Sequence, residues 1–426
     1  MLDIHLIRNT PDIVRKDLKK RNAREKIVLV DKILKLDQEW RKLKQEVEAL
    51  RHQRNVISQN IALLKKEGKK TEKEVKEAGR IPGLIQEKET TQEQIRQEMD
   101  TVLMQLPNIL HPSVPVGKDD TENEVVKEFG KKPKFDFPVK NHVDILEQLH
   151  LVELERAAKI SGARFWFLRG KLALLDIALQ RYAIDFMQNK GYTLLHPPFM
   201  MNRKAYEGVT DLLAFEDVLY KIEKEDLYLI ATSEHPLIAM FLEEIFEEKE
   251  LPIKLCGIST CFRKEAGTHG KDTKGIFRGH QFNKVEQIIL CKPEDSWKFH
   301  EELIKNAAEF FQSLEIPFRI VNVCTGDIGM IAAKKYDLEA WFPAQQAYRE
   351  VVSCSNCTDY QARRLKIRYR TKEGNKIVHT LNATCVATSR ALAAIIENFQ
   401  QKDGSVAIPK VLQPSMQGLK KIGKED

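Results

Sequence analysis

Apolar residues recur at alternating steps of three and four from Val28 onward. Ile33, Leu36, Trp40, Leu43, Val47, Leu50, Ile57, Ile61 and Leu64 form a heptad seam, with Arg54 the one polar member. Such a seam is the mark of a helix that buries one stripe against a partner helix. It stops at Lys65–Lys70, where Gly68 sits among charges and predicts a turn. A second seam follows through Ile85, Lys88, Gln92, Ile95, Met99, Val102 and Leu106, and it ends at Pro107. Two seams joined by a short polar turn predict an antiparallel helical hairpin. At 1.5 Å per residue the first helix would be roughly 55–60 Å long, so the hairpin reads as a projecting arm. Lys88 and Gln92 weaken the second seam. Pro82-Gly83 is expected to kink or break the returning helix, because proline removes a donor and clashes with the preceding turn.

The pattern changes after Leu106. Residues 107–140 are rich in Pro, Gly and charge and read as a linker with some extended pieces. A globular unit is expected from about residue 141 to 426, after an arm domain over 1–110 and a linker over 111–140. KLALLDIALQRYAIDFMQNKG has apolar positions 172, 175, 179, 182 and 186, the stripe of an amphipathic helix that ends at Gly191. Further helices are predicted over Pro236–Glu248, Glu294–Leu314 and Ser389–Gln401. Strand-like runs lie between them: LYLIATSEHP, IKLCGISTCFRKE, HQFNKVEQIILC, FRIVNVCTGD, AYREVVSCSN and IVHTLNATC. The alternation and hairpin-like connections predict an α+β unit, a mainly antiparallel sheet with helices packed on it.

Composition sharpens this picture in two places. The chain of 426 residues carries a net charge of +7, and residues 19–80 alone hold 19 Lys or Arg against 10 Asp or Glu. The arm's net +9 therefore exceeds that of the whole chain and favours a polyanion-binding role. Trp40 is the one aromatic in that stretch, which points to a phosphate backbone and duplex shape, not base stacking. The seven scattered cysteines argue against a disulfide framework. The first residues contain no apolar leader, and no run of 18 apolar residues exists. A cytoplasmic protein with no membrane span is expected.

The densest chemistry lies in Phe262–Gln287, FRKEAGTHGKDTKGIFRGHQFNKVEQ. It reads as strand, Gly- and Lys-rich loop, and returning strand. On the return, Phe282, Lys284 and Glu286 fall on one face and Asn283, Val285 and Gln287 on the other. Cations there could hold phosphates, an aromatic could stack on a base, and a carboxylate could hold an amine. A surface hairpin with a solvated charged tip is the plainer alternative. Gly267–Gly275 does not fit a P-loop, because it lies between strands and lacks the GxxxxGK[ST] spacing. Cys354 and Cys357 have metal-ligand spacing but no second pair, so no structural zinc is expected. Ala231–His235 ends a strand before a helix, where Thr or Ser commonly caps. Arg390 falls in the first turn of a predicted helix, where a cation opposes the helix dipole. An anion held there would explain it.

Taken together, these pieces resemble one family, the seryl-tRNA synthetases of class II, over nearly the whole chain. HPPF (His196–Phe199), FRKE with HQFNKVE, and LNATCVATSR resemble its three signature regions, and SCSNCTDYQARR (Ser353–Arg364) and LIATSEHPL resemble its seryl-specific segments. GIFRGHQFNKVEQ and LNAT are more similar to archaeal and eukaryotic members. The resemblance implies homodimers with an N-terminal coiled-coil arm for tRNA(Ser), with the selenocysteine tRNA open as a second acceptor. It implies activation of L-serine by ATP to seryl-adenylate, then transfer to tRNA. Arg263 would hold the α-phosphate and Arg390 the γ-phosphate, as the two catalytic residues. Glu265 would read the adenine amino edge, with Phe282 stacked on the base and Gly279 alongside. Lys264, Arg278, Val351 and Val352 would complete the ATP site. Glu350 and Ser353 would bind magnesium with ATP. Thr232, Ser233, Glu234, Glu286 and Thr384 would bind serine, and Thr384 stands where many members have Ser. A non-enzymatic paralogue and a ligase for another small amino acid are the alternatives. The Gly267–Gly275 loop is expected to be a mobile flap that meets ATP and then the tRNA acceptor end.

Overall fold

The structure, a computed structural model, describes residues 1–212, 216–265 and 274–423. Two compact units divide at Ile109 and Leu110. The loop expected to act as a flap lies mostly outside the described residues.

The first unit opens with two short helices, α1 (Ile4–Asn9) and α2 (Pro11–Lys20). Two long ones follow, α3 (Ile27–Lys66) and α4 (Glu72–Leu103). The chain leaves α3 at Gly68, whose φ of +70° a side chain would oppose. There the Lys69 N–H donates back to the Leu64 carbonyl at 2.9 Å. Ile33, Leu36, Val47 and Ile57 of α3 are buried, as are Ile81, Ile85, Met99 and Val102 of α4. One weakly apolar position of the second seam, Lys88, is taken up by an ion pair. Lys88 pairs with Glu46 at 2.5 Å, and Arg51–Glu89 and Lys32–Glu98 also cross between the helices. Asp37, almost fully buried, accepts from Arg8 at 2.9 and 2.7 Å and from Arg41 at 2.9 Å.

The expected break at Pro82-Gly83 does not occur. Helix α4 runs unbroken through Pro82. Proline costs it one hydrogen bond, but Ile81 and Ile85 on either side pack into one cluster with Val47 and Ile57 and hold the helix across the defect.

The second unit is built on an eight-stranded sheet. Its strands in chain order are β1 (Glu124–Phe129), β2 (Thr193–Leu195), β3 (Ile253–Phe262), β4 (Gln281–Cys291), β5 (Phe318–Asn322), β6 (Lys334–Phe342), β7 (Ala347–Asn356) and β8 (His379–Ala387). Across the sheet the order is β1-β5-β6-β7-β8-β4-β3-β2. Every pair is antiparallel except β2 with β3 at the edge. The stretch expected to be a linker contributes one of its extended pieces as the opposite edge strand, β1.

Four helices matter for the site: α5 (Gly170–Asn189), α6 (Glu234–Ala239), α7 (Ser296–Ser313) and α8 (Thr388–Asn398). Leu175 of α5, Phe310 of α7 and Leu392 of α8 share one core with Val285, Ile289 and Cys291 of β4. Ile288 and Leu290, on the opposite face of β4, enter a second core with Tyr206 and Tyr228. Both faces of β4 are thus covered, and its register is fixed by the two-residue period. The helix expected over Pro236–Glu248 ends at Ala239. Ile245–Glu247 instead pairs parallel with Arg368–Arg370, and Phe246 is buried in the second core.

Candidate active site

The face of β4 that carries Ile288 and Leu290 also carries Phe282, Lys284 and Glu286. Beyond the core these three line a cavity of about 470 Å³. Strand β8 brings Thr384 opposite Glu286, and β7 brings Glu350 and Ser353. Residues three apart on a regular strand point to opposite faces. A bulge resolves this on β7: Val352 pairs with Leu338 and Glu350 with Glu339, so Val351 is the extra residue. Glu350 and Ser353 therefore both reach the cavity. A second bulge, at Cys385, does the same for Thr384 and Ala387 on β8.

The charged groups fall into two clusters. In the first, Thr232 precedes α6 and Glu234 begins it. Ser233 between them is the N-cap but makes no side-chain cap bond. The Gln361 amide donates to Glu234 Oε1 at 3.0 Å, and Lys284 donates to Thr232 Oγ1 at 3.2 Å. Burial pushes the Glu234 carboxyl up to about 7, and the Glu286 charge adds to the rise. Glu286 is raised too, first by burial, against the pull of Lys284. His235 is pushed down to about 3 by burial and by Arg263 and Lys284, so the imidazole is neutral.

In the second cluster, Arg263 stands 5.3 Å from the Phe282 ring centre and donates from Nε to the Ala231 carbonyl at 3.2 Å. Arg278 pairs with Glu265 at 3.0 Å. Arg390, third residue of α8, donates to the Glu350 carbonyl oxygen at 3.0 Å. Burial works against the Glu350 charge, yet Arg390, Lys335, Arg263 and Arg278 hold its carboxyl below the usual range. Its side chain remains 42% exposed toward the cleft. Gly279 lies against Trp166, and a Cβ there would fall 2.1 Å from the indole Cζ3. A neighbouring cavity of about 480 Å³ shares Phe277, Arg278, Glu350 and Arg390 with the first.

The cavity therefore gathers Thr232, Glu234, Arg263, Glu265, Arg278, Gly279, Phe282, Glu286, Glu350, Val351, Ser353, Thr384 and Arg390. Three expected residues lie off its wall. Ser233 is buried and donates to the Gly257 carbonyl at 3.3 Å. Lys264 turns its ammonium toward Tyr220, 5.9 Å from the ring centre. Val352 belongs to the hydrophobic core. Several wall residues carried no role in the sequence. Phe277 stands 4.5 Å from the Arg349 guanidinium and 5.3 Å from that of Arg390. Lys335 pairs with buried Asp337 at 3.0 Å, where burial and then Glu350 push the Asp337 carboxyl up to about 7. Lys284 also lines the wall, on the strand face that its alternation with Phe282 and Glu286 predicts.

Cys354 and Cys357 are buried free thiols, both raised by burial. Among the described residues no group of three or more His, Cys, Asp or Glu is arranged to hold a metal. No helix among them is long and apolar enough to cross a membrane.

An antiparallel sheet with one arginine just past the end of β3, a second in the first turn of α8 and a carboxylate beside the second is the arrangement of a class II aminoacyl-tRNA synthetase core. Residues 218–399 match the tRNA synthetase class II core domain (G, H, P, S and T), and residues 1–110 match the seryl-tRNA synthetase N-terminal domain. The serine--tRNA ligase of Methanocella arvoryzae is 56% identical, over 98% of this chain and 99% of its own. The chain is similar throughout to the crystal structure of seryl-tRNA synthetase from Pyrococcus horikoshii complexed with ATP. That match has a TM-score of 0.95 and 49% identity, with both chains fully covered. It is also similar to the cytoplasmic serine-tRNA ligase of Naegleria fowleri in complex with AMP, with a TM-score of 0.90, 39% identity, and 100% and 99% coverage. The chain belongs to the seryl-tRNA synthetases.

Proposed function

We propose that this chain activates L-serine with ATP and transfers it to tRNA(Ser). The observation that carries the reading is the convergence of two residue sets on one cavity. Thr232, Glu234, Glu286 and Thr384 suit a small amino acid with an ammonium and a hydroxyl. Arg263, Glu265, Phe282, Glu350 and Arg390 suit a nucleoside triphosphate.

The chemistry follows from charge and position. A serine carboxylate oxygen attacks the α-phosphorus, the bond to the bridging oxygen breaks, and pyrophosphate leaves. Both reactants are anions, so the work is orientation and neutralisation, not proton abstraction. Arg263 meets the α-phosphate and Arg390 the γ-phosphate. Phe282 stacks on adenine while Glu265 accepts from its amino group. In the second step a ribose hydroxyl of the tRNA end attacks the seryl carbonyl, its proton passes to a phosphate oxygen of the adenylate, the bond from the carbonyl carbon to the phosphate oxygen breaks, and AMP leaves. A pocket that hydrogen-bonds the serine hydroxyl rejects alanine, because its buried partners would be left unpaired.

Magnesium fits the donors at Glu350 and Ser353, one carboxylate kept ionised and one hydroxyl, with the remaining ligands left to phosphate and water. When bound there it would neutralise phosphate charge. The basic arm is assigned to the tRNA, the chain to a homodimer, and the protein to the cytoplasm.

ATP–pyrophosphate exchange across the twenty amino acids tests the reading. Exchange with serine above all others is expected. No exchange with serine, or a faster rate with another amino acid, overturns it.

A further inference from the structure

Lys284 is 10% exposed at its side chain and faces the cavity between Phe282 and Glu286. Its Nζ stands 2.5 Å from Glu286 Oε2 and donates to Thr232 Oγ1 at 3.2 Å. Under the reading above, those two acceptors belong to the serine site, and both suit an ammonium. A lysine ammonium and an α-ammonium are the same kind of donor, one positive charge with three N–H groups. Lys284 thus occupies two acceptors of the serine site that suit the serine nitrogen.

The contact is close but not well aligned. Glu286 Oε2 is buried and has no donor in hydrogen-bond geometry among the described residues. The charge is countered while the lone pairs of Oε2 are not used. An ammonium better placed would gain what Lys284 leaves unmade. A flexible four-carbon stem lets the lysine move aside.

The strand period says where it would move. Side chains of Phe282, Lys284 and Glu286 succeed one another along one face at about 6.8 Å intervals. With adenine over Phe282 and the serine nitrogen at Glu286, the serine carboxylate falls between them, at Lys284. We propose that Lys284 is a further substrate-binding residue: it yields Glu286 and Thr232 to the serine ammonium and pairs with the serine carboxylate. The exchange keeps each buried carboxylate matched to a cation at every stage. It also ties recognition of the amino group to placement of the carboxylate that must attack.

The proposal rests on the assignment of Glu286 and Thr232 to serine. Binding of L-serine and L-serinamide to the full chain is measured by calorimetry, for the wild type, Lys284→Met and Lys284→Arg. The wild type is expected to favour serine over serinamide by about ten-fold or more, the worth of one charge-assisted hydrogen bond. Lys284→Met should lose that preference to within about two-fold, and Lys284→Arg should keep most of it. Equal weakening of both ligands in Lys284→Met would mean that the lysine only holds Glu286 in place, and would overturn the proposal. A crystal of the wild type with L-serine needs no variant. Nζ within about 3.2 Å of a serine carboxylate oxygen supports the proposal, and Nζ still on Glu286 and Thr232 overturns it. Serine-dependent exchange with either negative result removes this proposal alone. No serine binding by the wild type removes the functional reading with it.

Discussion

Arg390 and Glu350 are joined twice: the guanidinium donates to the backbone carbonyl of Glu350 at 3.0 Å and stands 3.5 Å from its carboxylate. The arginine sits at the start of α8, where the helix dipole opposes it. Glu350 offsets that opposition and is itself kept ionised. Replacing Arg390 by Gln should therefore do two things. The kcat/KM for ATP in pyrophosphate exchange should fall by about 10²–10³-fold, as for loss of one transition-state donor. The acid limb of the exchange profile should also move to higher pH, because a carboxyl held below its usual range loses part of the charge that held it there. An unmoved limb would mean that Glu350 does not set it.

Glu234 gives a second pH effect, of opposite origin. Its carboxyl is raised to about 7 by burial and by Glu286. Below that pH it carries a proton and pairs poorly with an ammonium; above it the carboxylate is free to do so. Serine binding should tighten as pH rises from 6 to 8, and near pH 7 binding should release protons. Calorimetry in buffers of different ionisation enthalpy reads this directly. Glu234→Gln should abolish the release. The linked stability has the reverse sense: a raised carboxyl stabilises the fold below its unfolded value near 4.3, and that gain is lost as pH rises through about 7.

Gly279 is required by a neighbour, not by backbone conformation. A Cβ would meet the Trp166 ring at 2.1 and 2.3 Å, and a ring cannot fold aside as a flexible chain end can. Gly279→Ala should cost about 1–3 kcal/mol of stability, as overpacking does. The KM for ATP should rise with it, since the wall beside Phe282 moves. Thermal melting and exchange kinetics on the same variant check both.

The tRNA-binding role proposed for the arm predicts that the two steps can be separated. Deletion of 32–99 should spare serine-dependent exchange and abolish tRNA charging; equal charging without the arm would refute its assignment. Binding of tRNA should weaken steeply with salt. Pro82→Ala should leave charging unchanged, because α4 already runs through that position. Restoring one hydrogen bond should stabilise the arm locally by up to about 3 kcal/mol, read as slower amide exchange around Ala78.

The sequence by itself determined the elements whose signal is periodic. The heptads from Ile33 to Leu64 set α3, and the apolar stripe of 172, 175 and 179 set α5. Alternation along 282–286 placed Phe282, Lys284 and Glu286 on one face, and motif resemblance named thirteen of the residues that line the cavity. These features are local, and a short window contains them. Tertiary structure decided the rest. Pro82 stays within a helix because residues of α3, more than twenty positions away in the chain, bury Ile81 and Ile85. The helix begun at Glu234 stops early because Ile245–Glu247 finds a partner at Arg368–Arg370. Glu350 and Ser353 share a face only because one residue is squeezed out of register on β7, and Thr384 and Ala387 only because another is on β8. A bulge is set by the strand opposite, and so is the partner of a buried charge. Neither is written in the residues on which it acts.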